Sequence, residues 1–190
     1  MRRTRPDATV EEDAMAMDPL ALESQVCFQA VVAARTVVAV YRPILEPLGL
    51  THTQYLVMLA LWERDDRSVS DLGATLQLEP ATLTPLLKRL QGAGFVDRAR
   101  SSADERVVLV SLTPAGRELR DRAMDVPARA AARTGMTVEE LVMLRDSLTD
   151  VVGRLAGSVA DADADADGDG GAGADAETRG ADAGADHRAA

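Results

Sequence analysis

In 190 residues there is one cysteine, two histidines, one tryptophan, two tyrosines and two phenylalanines. Each shortage excludes something. A single thiol cannot close an intramolecular disulfide, and no Cys/His grouping has metal-ligand spacing, so neither a disulfide scaffold nor a metal or other cofactor is expected. Aromatics make up 3% of the chain although 46% of it is hydrophobic, which suits an aliphatic helical core better than a β-sandwich. No apolar run reads as reaching the roughly 20 residues that span a bilayer. The opening Met-Arg-Arg-Thr-Arg-Pro is not followed by the apolar segment of a secretory signal. The expectation is a cytoplasmic protein with no membrane partner.

The formal net charge is −10, which taken whole argues against nucleic acid as a partner. The charge is local, however. Residues Gly157 to Ala190 hold nine acidic residues against two arginines, a net of −7, which leaves −3 for residues 1–156. The low pI therefore describes the end of the chain rather than its body.

Three regions follow. Residues 1–18 are polar and aperiodic and read as a disordered arm. Residues 19–156 carry helical periodicity around a short strand-rich section, and residues 157–190 form an Ala/Asp/Gly tail expected to be disordered. Within the middle region Cys27, Val31, Ala34, Val38, Tyr41 and Leu45 recur at spacings of four and three, the mark of one helix face. Pro43 should kink or end that helix. Thr51 is placed to cap a second helix with Tyr55, Leu59 and Trp62, and Ser68 with Asp71 to cap a short third one. Glu79-Pro80 opens a fourth, with Leu83, Leu86, Leu87 and Leu90 inward and Gly92 and Gly94 stopping it. Phe95–Arg98 and Val107–Ser111 are strand-like around a polar tip. Thr113-Pro114 starts a fifth helix running to about Met124 or beyond Pro127, and a sixth begins near Thr137.

Two short helices, a tight turn and a charged hairpin over residues 68–112 make a winged helix-turn-helix, which sets one helix in the DNA major groove and a loop beside it. The fold class is mainly α with a small β-hairpin wing. The DNA-binding unit spans about 52–112, between terminal helices at about 19–46 and 114–156. Those terminal helices have more apolar stripe than so small a body needs, which implies dimerisation about a two-fold axis.

Opposite its leucines the fourth helix presents Ala81, Thr82, Thr84, Pro85, Lys88 and Gln91. Thr82, Thr84 and Pro85 suit close approach to base edges or phosphates, while Lys88 and Arg89 suit phosphates. The hairpin carries Arg98, Arg100 and Arg106. Asp104 and Arg106 would point the same way on an extended strand, making an aspartate-held arginine a minor-groove probe or a simple surface ion pair. The expected partner is pseudo-palindromic double-stranded DNA.

The run LTPLLKRLQGAGFVDRARSSADERVVLVSLTPAG resembles the recognition helix and wing of the MarR family of bacterial repressors, with ADER similar to its D-x-R wing signature. Upstream, CFQAVVAARTVVAVYRPILEPLGLTHTQYLVMLALWE resembles the organic-hydroperoxide-sensing, OhrR-type branch. The likeness is close from about Leu20 to Ala123 and loose over the last helix. It implies a homodimeric repressor that is no enzyme and whose Cys27 aligns with a peroxidatic cysteine. Without the resemblance, a lone cysteine on an apolar stripe reads as a small core residue. With it, the implied chemistry is thiolate attack on an organic hydroperoxide to give a sulfenic acid, then capping by a low-molecular-weight thiol, because no resolving cysteine is present. The resemblance also implies that Tyr41 hydrogen-bonds the reactive sulfur. Tyr41 lies 14 positions after Cys27, about 21 Å along one helix, so it can only meet the cysteine of a second subunit. A second family tyrosine is replaced here by His52, a departure that bears on peroxide preference. The alternative is a repressor of the same architecture released by a small aromatic or lipophilic ligand, with Cys27 only structural.

Overall fold

The computed structural model describes residues 18–168, with side chains as far as 158. The expected arm, apart from Asp18, and the tail from 169 onward lie outside these residues. Two compact units divide the chain, one reaching Met136 and the other beginning at Thr137.

After a 3-10 turn, Leu22–Ser24, helix α1 runs Val26–Leu45. Pro43 lies inside α1 and does not end it. It deprives only the Ala39 carbonyl of a donor, and the helix closes just beyond, where Glu46 N–H bonds the Arg42 carbonyl and a 3-10 turn Glu46–Leu48 ends on left-handed Gly49, φ 71°. Helix α2, His52–Glu63, begins with a reciprocal capping box between Thr51 and Gln54. Ser68 Oγ accepts from Asp71 N–H at 3.0 Å and caps α3, Val69–Leu76. Helix α4 is Pro80–Gly92, and Gly94 at φ 78° turns the chain into the wing.

The wing has three strands rather than the expected two. β1 (Arg67–Ser68) precedes α3 and pairs with β3 (Val108–Leu112), which pairs with β2 (Val96–Arg100), all antiparallel in the order β1-β3-β2. Two residues are too few to leave an alternating pattern, so β1 has no signature in the sequence. Thr113 caps α5, Pro114–Ala123. Of the two expected ends the first holds: α5 stops at Ala123 with Met124 as its C-cap, and after Asp125 the chain restarts as α6, Val126–Thr134. Pro127 falls in the first turn of α6, where its missing N–H costs nothing.

The core is aliphatic. Ile44, Leu45 and Leu48 meet Tyr55, Val57, Met58 and Leu61 of α2, Leu72 of α3, the α4 leucines 83, 87 and 90, and Val96 and Val110 of the wing. Leu119, Ala123, Val126 and Ala130 close it from α5 and α6, and α6 packs on α1.

The stripe on α1 fares differently. Its C-terminal end is buried, but Cys27 is exposed, as are Val31 at 47% and Val38 at 39%. Val26–Leu48 is, by length and composition, long and apolar enough to cross a membrane, which corrects the expectation of no such run. Arg35 and Arg42 interrupt the segment locally, whereas its average along the helix is apolar.

In the second unit, α7 runs Val138–Gly168. Thr137 and Glu140 cap its start reciprocally. It continues past Gly157, where a disordered tail was expected. Alanine favours helix there, although the alternating aspartates do not, so the change of composition at Gly157 does not set the helix end. Leu144, Leu148, Val151, Val152 and Leu155 are exposed along it.

Candidate nucleic-acid interface and thiol site

Helix α4 is held by its leucines, and their burial dictates what the opposite face shows. Thr82, Pro85, Lys88 and Arg89 are exposed, while Thr84 is half-buried. Among the described residues neither the Thr82 nor the Thr84 hydroxyl bonds its own helix, unlike Thr36, which donates to Val32 O at 2.9 Å. Both hydroxyls are thus free for an external partner.

The wing corrects the reading of Asp104 and Arg106. Strand β2 stops at Arg100 and β3 resumes at Val108, so the tip is a turn and two-residue alternation does not apply. Asp104 Oδ1 accepts from the backbone N–H of Arg106 at 2.9 Å and holds no guanidinium. Its role is to shape the tip, together with Arg100 Nη1, which donates to Glu105 O at 2.8 Å. The Arg106 side chain is exposed. A groove of about 530 Å³ separates wing from helices and is lined by Ser68, Ser70, Thr84, Arg98 and Arg106 among others. Arg98 is half-buried and its Nε has no hydrogen-bond partner among the described residues. An unpaired buried donor is costly, and an anionic oxygen in the groove would satisfy it.

The frame that aims this face rests on residues the sequence reading passed over. The Arg67 side chain is only 6% exposed. It donates to Asp71 Oδ2 at 2.6 Å, to Ala60 O at 3.3 Å and to Thr75, while Arg64 also donates to Asp71. Hydrogen bonds from Arg67 and then Arg64 pull the Asp71 carboxyl down to about 2. On the other side Trp62 Nε1 donates to Gly116 O at 2.9 Å, and Asp65 accepts from Leu112 N–H at 2.8 Å and pairs with Arg117. In the sequence Arg67 sits in a charged Arg-Asp-Asp-Arg run that looks like a solvated turn, and nothing marks it as buried.

Of the sensor residues, Tyr41 and His52 come together and Cys27 does not join them within one protomer. The Tyr41 and His52 rings stand edge to face with centroids 5.1 Å apart, and Tyr41 lies 6.1 Å from Tyr55, which in turn lies 6.2 Å from Trp62. Burial lowers the His52 pKa from its usual 6.5 and is also the larger cause raising that of Tyr55. His52 is thereby biased toward the neutral ring. Among the described residues there is no His/Cys/Asp/Glu cluster able to hold a metal ion. A second groove, of about 300 Å³, is lined by Tyr55, Leu59, Trp62, Arg120, Met124 and others.

Residues 39–123 match the family model described as transcriptional regulator SarA/Rot. The HTH-type transcriptional regulator TtmR of Methylorubrum extorquens is 44% identical over 134 residues, 70% of this chain and 69% of that protein. The organic hydroperoxide resistance transcriptional regulator of Bacillus subtilis is 39% identical over 131 residues, 69% of this chain and 89% of that one. Among solved structures, reduced AbfR bound to DNA, a Staphylococcus epidermidis protein, aligns with TM-score 0.60 at 30% identity over 71% of this chain and 94% of its own. BpsR of Bordetella bronchiseptica, solved for regulation of its DNA binding by 6-hydroxynicotinic acid, aligns with TM-score 0.61 at 26% identity over 67% and 98%.

Proposed function

Because the chain belongs to the MarR family of winged-helix transcriptional regulators, in its OhrR-type branch, we propose that it is a cytoplasmic homodimeric repressor that releases its operator when organic hydroperoxides oxidise Cys27. The observation that carries this reading is the uncovered face of α1, where Cys27 is exposed beside Val31 and Val38 while Tyr41 and His52 stand together near the other end. A second copy laid antiparallel on that face buries the valines and brings its Tyr41 and His52 to Cys27. An isolated protomer would leave the stripe in water.

The chemistry then balances simply. The thiolate sulfur attacks the terminal peroxide oxygen; an S–O bond forms, the O–O bond breaks, and the alkoxide leaves as an alcohol after protonation. The sulfenic acid condenses with a low-molecular-weight thiol, forming a mixed disulfide and water. An adduct of that size cannot fit a packed helix interface without moving the helices. Two half-sites lie about one DNA turn, 34–36 Å, apart, so a small rotation of each winged unit costs both contacts at once. On the DNA side Thr82, Pro85, Lys88 and Arg89 face outward from α4, with Arg98, Arg100 and Arg106 on the wing and Asp104 shaping its tip.

Fluorescence anisotropy on the protein's own upstream DNA, with and without stoichiometric cumene hydroperoxide, tests this. Oxidant is expected to release wild type and leave Cys27→Ser bound. A Cys27→Ser protein that still responds to peroxide overturns the thiol reading.

One observation favours a second reading. The groove beside Tyr55, Trp62 and Met124, where Arg120 and Glu63 are the charged lining residues, has the apolar walls for a small aromatic or lipophilic ligand, and the similar BpsR answers to 6-hydroxynicotinic acid. Release of both wild type and Cys27→Ser by such an acid, with peroxide inert, would select it.

A further inference from the structure

Helix α4 contains a proline in its interior, Pro85. Proline has no N–H, so the carbonyl of Ala81, four residues earlier, loses its donor from position 85, and the ring crowding that carbonyl tilts it away from the helix axis. The location matters. Leu83, Leu87 and Leu90 are fully buried, and Ala81 and Pro85 lie one turn apart at the middle of the opposite, exposed face. The side chain at 81 is a methyl group, so the backbone there can approach a partner closely. The two flanking hydroxyls, Thr82 and Thr84, do not fold back onto the helix among the described residues, so neither competes for that carbonyl.

We propose that Pro85 is a specificity-determining residue, because it leaves the Ala81 carbonyl open as a hydrogen-bond acceptor for the exocyclic amino group of an adenine or cytosine in the major groove. This rests on the DNA-binding reading given above and deepens it. In the major groove adenine offers its N6 amino group and cytosine its N4 amino group, whereas guanine and thymine offer only acceptors at the same edge. A fixed carbonyl therefore sorts amino-bearing from keto-bearing bases. In the free protein water satisfies the carbonyl. On docking that water is displaced, and a keto base leaves two acceptors facing each other. The preference needs no side chain and is invisible to any reading that considers side chains alone.

The test uses the full-length reduced protein, wild type and Pro85→Ala, in selection from randomised duplexes. It is followed by anisotropy on the selected site with single bases replaced by analogues lacking the amino group, a 6-unsubstituted purine or a 4-unsubstituted pyrimidone. Wild type is expected to lose about fivefold in affinity at one position per half-site. Whether the purine or the pyrimidone analogue causes that loss identifies the base. Pro85→Ala restores the N–H, closes the bond to Ala81, and is expected to bind both duplexes equally while melting at a higher temperature. If Pro85→Ala keeps the amino-group dependence at every position, the proposal is overturned. Should Pro85→Ala not fold, wild type decides alone, and indifference to amino deletion throughout the half-site overturns it. If wild type selects no sequence, the DNA-binding reading itself fails, an outcome distinct from a selected site without amino dependence.

Discussion

Helices α4 and α1 are both amphipathic, and one protomer treats them in opposite ways. Every leucine on the inner face of α4 is buried, and α4 shares its core with α2, α3 and the wing. Along α1 only Ile44 and Leu45 are fully buried, while the stripe from Cys27 to Val38 faces water. The difference teaches where the protomer ends. The winged unit completes its own core and can hold DNA-facing residues rigidly. In the proposed dimer the exposed α1 face is half of a surface, and a chemical change on Cys27 there would alter the spacing of the two winged units.

The comparison breaks most severely at Gly116. A Cβ built there would lie 2.0 Å from the Phe95 carbonyl oxygen, because Thr113 ties the start of α5 to the root of the wing, donating from N to Phe95 O at 3.1 Å and from Oγ1 to Gly94 O at 2.6 Å. Gly116→Ala should cost about 3 kcal/mol or more, since backbone rather than a side chain must move. Urea denaturation checks it. Gly153 on α7, with nothing within 4 Å of an added Cβ, gives the opposite sign, and Gly153→Ala should gain up to about 1 kcal/mol. Similar losses at the two sites would show that the closed and open regions are not as different as they look.

The open face is sharpened by charge. Val31→Asp with Val38→Asp puts two carboxylates on the uncovered stripe and touches none of the core. The helix content and urea midpoint of the protomer should be kept, while sedimentation should show a monomer. Operator affinity should fall about 10²-fold or more as the two half-sites stop acting together. A variant that stays dimeric and bound would remove α1 from the interface.

The same division governs what could be read in advance. The closed region was legible. The Thr51 and Ser68 caps, the four leucines of α4, the Gly92/Gly94 stop and the hairpin all follow from local chemistry that the fold respects. What escaped has no local signal. β1 is two residues long, and Arg67 is buried through bonds to Ala60, Asp71 and Thr75 that only packing brings together. Thr84 was expected on the DNA face and lies half-buried against the wing groove. Asp104 was expected to hold a guanidinium and instead holds a backbone N–H, because the tip is a turn. The candidate thiol site was legible in its residues but not in its geometry, since 14 positions along α1 separate Cys27 from Tyr41 in any one protomer.

Asp71 offers a milder probe of the closed region. Its pKa lies near 2 in the folded protein, below the ordinary 3.8, so the folded state binds fewer protons than the unfolded one between those values. Its contribution is complete above about pH 4 and is lost as pH falls toward 2. Denaturation midpoints of wild type and Asp71→Asn should therefore differ near neutrality and converge on acidification through that window. A constant difference would mean that the carboxylate charge is not what Arg64 and Arg67 hold.

The smallest effect belongs to His52, at the border of the two regions, where the first turn of α2 meets Tyr41 of α1. Its pKa is lowered from 6.5 by burial, and as the first residue of α2 it also sits at the positive end of the helix dipole, which disfavours imidazolium. The unfolded chain takes up this proton as pH falls through 6.5 and the folded one resists, so stability should decline just below 6.5 and be flat above it. His52→Gln should flatten that decline, and urea midpoints at about pH 5 and 7 are enough to show it. The functional consequence follows from the sign. In the proposed dimer His52 would face the second copy's thiol near neutrality as an uncharged ring packed against Tyr41, rather than as a cation that stabilises a thiolate. The oxidation rate of Cys27 should then gain nothing from protonation of His52, and a rate that rises as His52 protonates would reverse the assignment.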